Sequence, residues 1–182
     1  GITMDISSLY VGEHIIDVLV RINKENTVVV KMLSLKLVVS GYESLATVGY
    51  KAGSFDTFKV DGVDVFTSGK VATELAAVNN TVNVTTSANQ IYIYGWIGFT
   101  NEIVDFGYCF DSGVATYAVE PIVPASGSGV YTAGGEYARR FGITMDISDL
   151  GKGEHTIDLL ARVNLGDSVP TKILSFTLVI NE

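Results

Sequence analysis

Residues Gly1 to Val39 and Gly142 to Ile180 are two copies of one passage, aligned without a gap and identical at more than half of their positions. Gly1-Ile-Thr-Met-Asp-Ile-Ser7, Gly12-Glu-His14, Arg21 and Asn23 return as Gly142-Ile-Thr-Met-Asp-Ile-Ser148, Gly153-Glu-His155, Arg162 and Asn164. Chance does not produce such a match, so the chain is read as a repeat protein with a unit of about 140 residues. The phase divides it into residues 1–39, expected to be the closing part of a preceding repeat whose opening part is absent, and residues 40–182, expected to be one complete repeat. A unit of that size can bury a proper core.

Val, Ile, Thr, Tyr and Phe fill the runs between turn residues, and no stretch of a dozen residues holds a helical period. Strands are predicted at Ile2 to Ile6, His14 to Ile22, Met32 to Val39, Ser54 to Val60, Thr81 to Thr85, Ile91 to Phe99, Ile103 to Phe110, Tyr137 to Ile147, His155 to Val163 and Lys172 to Ile180. Ala72 to Ala77 allows one helical turn. Asp61-Gly62, Ser68-Gly69, Asp111-Ser-Gly113 and Gly166-Asp167 are turn signals at the spacing of a sandwich or jelly roll. The predicted fold is therefore all-β, an antiparallel jelly-roll-type β-sandwich preceded by a partial repeat of the same fold. Pro121 to Gly135, rich in Gly, Pro and Ser, is longer than a hairpin loop and is expected to be functional or mobile.

Net charge is −8 and the isoelectric point is near 4.7, with no basic cluster. A phosphate backbone would be repelled, so nucleic acid is not an expected partner. The apolar runs are short and interrupted, so no membrane span is expected. The single Cys109 excludes an internal disulfide.

Alternation in Ile91-Tyr-Ile-Tyr-Gly-Trp-Ile-Gly-Phe99 places Tyr92, Tyr94 and Trp96 on the face opposite Ile91, Ile93, Ile97 and Phe99. An aromatic row suits the C–H faces of sugar rings, so these three are candidate ligand-binding residues, unless a loop such as Pro121 to Gly135 buries them. Arg139 and Arg140 are the candidate cations beside that row, able to bind sugar hydroxyls or a carboxylate, or to pair locally with Asp105, Asp111 or Glu136. Asp56, Asp61, Asp64 and Asp111 could offer oxygen to Ca²⁺, but none lies in a loop of EF-hand spacing and turn formation explains Asp61-Gly62 equally well, so no metal is predicted. His14 and His155 occupy equivalent corners without a ligand-spaced partner. No nucleophile elbow, Cys/His pair or phosphate loop is present. The expectation is a protein that is not an enzyme and carries no cofactor.

Ser54-Phe-Asp56, Val60-Asp-Gly62, Ile93-Tyr-Gly-Trp96, Phe106-Gly-Tyr108, and Leu150 with Gly153-Glu-His155 and Phe176 resemble the ancillary β-sandwich modules of large extracellular proteins and glycoside hydrolases from anaerobic gut bacteria. Those modules look like galactose-binding-like jelly rolls, and the resemblance covers most of Ser40 to Ile180. It implies a secreted or cell-surface protein in which such units bind carbohydrate, space other domains or adhere. The apolar strands of residues 1–39 need cover from another surface, since bare strand edges recruit partners. The leading expectation is a structural or adhesive repeat whose partners are neighbouring repeats or copies of itself, joined by shared strands into a fibre or array. The alternative is a carbohydrate-binding module whose partner is a glycan.

Overall fold

A computed structural model describes residues 3, 12–22, 28–39, 41–85, 87–165 and 168–182. The chain divides into two compact units, Gly1–Gly41 and Tyr42–Glu182. The first contains β1 (Gly12–Ile22) and β2 (Val28–Val39). The second contains β3 (Tyr50–Val60), β4 (Val63–Asp64), α1 (Val71–Ala77), β5 (Thr81–Thr85), β6 (Gln90–Phe99) and β7 (Ile103–Phe110), followed by β8 (Thr116–Val119), α2 (Gly129–Gly134), β9 (Arg139–Asp146), β10 (Gly153–Asn164) and β11 (Ser168–Asn181). The protein is all-β in class. The predicted strand at Ile2 to Ile6 and the Gly166-Asp167 turn lie outside the described residues.

In the second unit the strands form a five-stranded sheet, ordered β5-β11-β10-β7-β8, and a four-stranded sheet, ordered β4-β3-β6-β9. Both sheets feed one hydrophobic core. Phe58 on β3 meets Phe176 on β11 with ring centroids 5.3 Å apart, and Phe106 on β7 meets Phe141 on β9 at 4.7 Å. Each such ring withdrawn from water contributes about 2 kcal/mol. The two-residue turn between β3 and β4 follows from Asp61-Gly62, where φ is 47° and 81°. Asp tolerates that left-handed backbone and Gly adopts it freely, which gives the turn a twist matched to the strands.

Every ladder among the described residues is antiparallel except one, which departs from the antiparallel expectation. β5 runs parallel to β11, pairing Thr81 with Thr177 through Thr85 with Asn181. A parallel neighbour requires a crossover rather than a hairpin, and the segment containing α1 precedes β5. Three short elements, β4, β8 and α2, were not foreseen. β8 has four residues, too few to declare a period. α2 lies inside the Gly- and Ser-rich run, where Ser128 Oγ accepts the Tyr131 N–H at 3.2 Å as an N-cap.

The repeated passage folds into the same hairpin twice. β1 and β2 pair from Gly12 opposite Val39 to Ile22 opposite Val28, with a bulge between Val18 and Leu19. β10 and β11 pair from Gly153 opposite Ile180, with a bulge between Leu159 and Leu160, the equivalent position. Both bulges leave one residue of the return strand unopposed, Met32 in one copy and Ile173 in the other.

Candidate functional site

The strands of the four-stranded sheet bring three rows together on the face away from the core. Tyr92, Tyr94 and Trp96 of β6 stand opposite Lys59, Thr57 and Ser54 of β3. On their other side they stand opposite Thr144, Gly142 and Arg140 of β9. Directly opposed residues share a face. Ile91, Ile93, Ile97 and Phe99 are buried, whereas Tyr92, Tyr94 and Trp96 are each half-buried. The aromatic row is thus partly open.

The loop of Pro121 to Gly135 accounts for part of the cover at Trp96. α2 packs against β3 and β6, and its backbone comes so close that a Cβ at Gly98 would lie 2.3 Å from the Gly134 carbonyl oxygen. Only glycine permits that approach. A Cβ at Gly134 would stand 3.0 Å from the Trp96 ring, so the ring is pinned between helix and sheet on one side. On another side a cavity of about 230 Å³ opens, with Tyr50, Ser54, Lys70 and Thr73 among its walls.

The two arginines separate as alternation requires. Arg140 stands beside Trp96 on the outer face, and Arg139 stands opposite the inward Ile97. Arg139 turns its guanidinium back to the chain and donates to the carbonyls of Glu136 and Ala138, both at 2.9 Å. Two of the acids proposed as partners, Asp105 and Asp111, are engaged elsewhere. Arg162 takes Asp105 through Nε at 2.7 Å and through Nη2, and its guanidinium lies 4.5 Å from the Tyr117 ring centroid.

The other carboxylates hold loops and corners. Asp61 accepts the N–H groups of Asn89 and Gln90, both at 3.0 Å. Asp56 accepts the Ser54 hydroxyl at 2.6 Å, and Asp64 lies 3.7 Å from Lys59. Asp111 faces His155 Nδ1 at 2.8 Å and accepts the Thr156 N–H at 2.7 Å. The other imidazole nitrogen of His155 lies 2.8 Å from the Gly151 carbonyl. With an acceptor at each nitrogen the doubly protonated ring is favoured, so the His155 pKa is raised, chiefly by Asp111, and that of Asp111 is lowered, chiefly by His155. The His14 side chain lies outside the described residues. Among the described residues no three His, Cys, Asp or Glu side chains gather as a metal set, and no helix is long and apolar enough to cross a membrane.

A second site went unrecognised in sequence, the seat of the closing hairpin. β10 lies against β7, with Asp158 opposite Cys109 and Leu159 opposite Tyr108, and β11 lies against β5. Asp158 is buried within it. Ser175 donates its hydroxyl to Oδ1 at 2.6 Å, while Oδ2 accepts no well-directed hydrogen bond and is held by the Lys172 ammonium at 2.8 Å. That ammonium lies 5.2 Å from the Tyr42 ring centroid, and the Tyr42 hydroxyl meets the Cys109 thiol at 3.2 Å. Burial is the main cause raising the pKa of both Tyr42 and Cys109. The first hairpin carries the same three residues in the same contacts. Ser34 donates to Asp17 at 2.6 Å, and Lys31 lies 2.9 Å from it. Their identity in both copies, with an acid in the middle of an apolar strand, was the available signal.

No family model matches the chain, and no curated protein matches it.

Proposed function

We propose that this chain is a non-catalytic structural or adhesive repeat of an extracellular bacterial surface protein, built on a jelly-roll-type sandwich and partnered by neighbouring repeats or copies of itself. One observation carries the reading: the repeated passage returns with its strand register, its bulge and its Asp-Ser-Lys contact together. A register and a bulge reproduced at that distance are what serial modules of one design require. The resemblance to ancillary modules of gut-bacterial surface proteins supports the extracellular placement. The non-catalytic part is supported by the carboxylates Asp61, Asp105, Asp111 and Asp158, each tied to backbone N–H groups or to a cation or hydroxyl.

A second reading, a carbohydrate-binding module, is favoured by the half-buried Tyr92, Tyr94 and Trp96 with Arg140 beside them and a cavity next to Trp96. In it Arg140 would take sugar hydroxyls, while Arg139, spent on carbonyls, would hold the strand end. A glycan array with the parent chain and with Trp96→Ala separates the two. The structural reading expects no glycan to be retained by either. A glycan retained by the parent and weakened tenfold or more in Trp96→Ala would replace it with the second.

A further inference from the structure

We infer that the Tyr42–Glu182 unit is a tension-bearing link, in which a pull passed along a series of repeats enters at Glu43, runs down β11 and leaves at Ile180. The inference rests on the serial-repeat reading and adds to it the path that load takes through each unit. The repeat fixes where the pull is applied. Val39 of the first copy aligns with Ile180 of the second, and the chain leaving Val39 reaches Tyr42 of the next unit within a few residues. Tension along joined repeats is therefore delivered to a unit just before Tyr42 and drawn off just after Ile180.

These two points lie along one strand. Glu43 forms a parallel bridge with Thr171 near the start of β11, and Ile180 stands near its end. The line between them follows β11 for roughly 30 Å at about 3.3 Å per residue. That placement decides how the bonds are loaded. Glu43 is drawn toward its N-terminus and β11 toward its C-terminus, and because the two run parallel they are dragged in opposite directions along a common axis. Hydrogen bonds that lie across the axis are then sheared together instead of being opened in turn.

The entry point is locked on two sides. The Glu43 N–H donates to the Pro170 carbonyl at 3.0 Å, and the Thr171 hydroxyl donates to the Glu43 carbonyl at 2.7 Å. Thr171 is fully buried, so its bond is shielded from competing water. Tyr42 adds a crossbar. Its ring faces the Lys172 ammonium of β11 at 5.2 Å and its hydroxyl meets the Cys109 thiol of β7 at 3.2 Å, so the side chain spans β10, which lies between those strands. Glu43 cannot slide along β11 without breaking both contacts. At the exit β11 is held by β10 from Ser168 to Ile180 and by β5, in parallel, from Thr177 to Asn181, so a pull along its axis loads these ladders in shear as well.

Single-molecule pulling tests the path by changing its direction. The full-length chain is stretched from its two ends, and separately between its C-terminus and a handle on Thr85→Cys, a position opposite Asn181 from which the β5–β11 ladder is loaded across its axis at one end. End-to-end rupture is recognised by the release of roughly 440 Å of chain between Glu43 and Ile180. It is expected at a force at least about twice that needed across the ladder, since bonds sheared together outlast bonds opened in turn and forced unfolding follows the unfolding rate. Tyr42→Ala with Thr171→Val is expected to lose about half of the end-to-end force, because it removes the crossbar and the shielded hydroxyl bond. The same variant is expected to keep its force across the ladder, which also shows that it folds. Equal forces in the two directions in the parent chain overturn the inference, and so does a variant weakened in both directions or in neither. Glycan retention on the array would remove the structural reading and leave this result untouched, so the two failures are distinguishable.

Discussion

The two copies of the repeated hairpin have the same ladder and unlike surroundings. β10–β11 is sandwiched between β7 and β5, with Leu160 and Phe176 withdrawn from water, whereas Leu19 and Leu35 in β1–β2 stand largely exposed. Register and bulge therefore belong to the local sequence, and burial belongs to the neighbours. Equivalent positions consequently have unequal energetic weight.

The largest effect that can break this comparison is Phe176→Ala against Leu35→Ala. Phe176 packs on Phe58 in the core, so its loss should cost about 4 kcal/mol in transfer and cavity terms. Leu35→Ala should change the stability of the Tyr42–Glu182 unit by less than about 0.5 kcal/mol. Denaturant unfolding of the two full-length variants, followed by Trp96 fluorescence, checks the ratio. Equal costs would mean that the first hairpin is buried as deeply as the second.

A somewhat smaller contrast lies in the shared ion pair. Lys172→Met leaves the buried Asp158 with only the Ser175 hydroxyl, a loss of about 3 kcal/mol. Lys31→Met removes the same contact from an exposed aspartate, which water and Ser34 continue to serve, and should leave the unfolding midpoint unmoved. If Asp158→Leu with Lys172→Met restores stability while Lys172→Met alone does not, the penalty is the stranded charge rather than lost packing.

The long periodic elements were legible in the sequence because alternation survives over many residues. Ile103 to Phe110 and Thr81 to Thr85 match β7 and β5 residue for residue, and the aromatic strand orients as its period requires. What escaped depends on tertiary placement. The parallel pairing of β5 with β11 is set by where the crossover deposits the chain, not by any pattern within Thr81 to Thr85. The cover on Trp96 depends on two glycines far apart in sequence, Gly98 and Gly134, whose meeting no local spacing announces. The pairing of Arg162 with Asp105, rather than Arg139 or Arg140 with that acid, follows from β10 lying beside β7.

The smallest effect concerns the repeated corner histidine. Nothing in the repeated passage corresponds to Asp111, which precedes Gly142, so the contact at His155 is not part of what the copies share. Because the His155 pKa is raised in the folded chain, the contact contributes fully below about pH 6.5, the ordinary histidine value, and is lost as pH rises through the raised one. Because the Asp111 pKa is lowered, its contribution is present above the ordinary carboxylate value and is lost as pH falls through the lowered one. Stability from the pair is thus greatest in the mildly acidic window between them, and with Asp111 half exposed it should stay under about 1 kcal/mol. Asp111→Asn should lower the midpoint of the His155 resonance, one of the chain's two histidine resonances, in a proton NMR titration. If neither midpoint moves, Asp111 does not hold the His155 proton, and the distinction between shared ladder and private surroundings fails at this position.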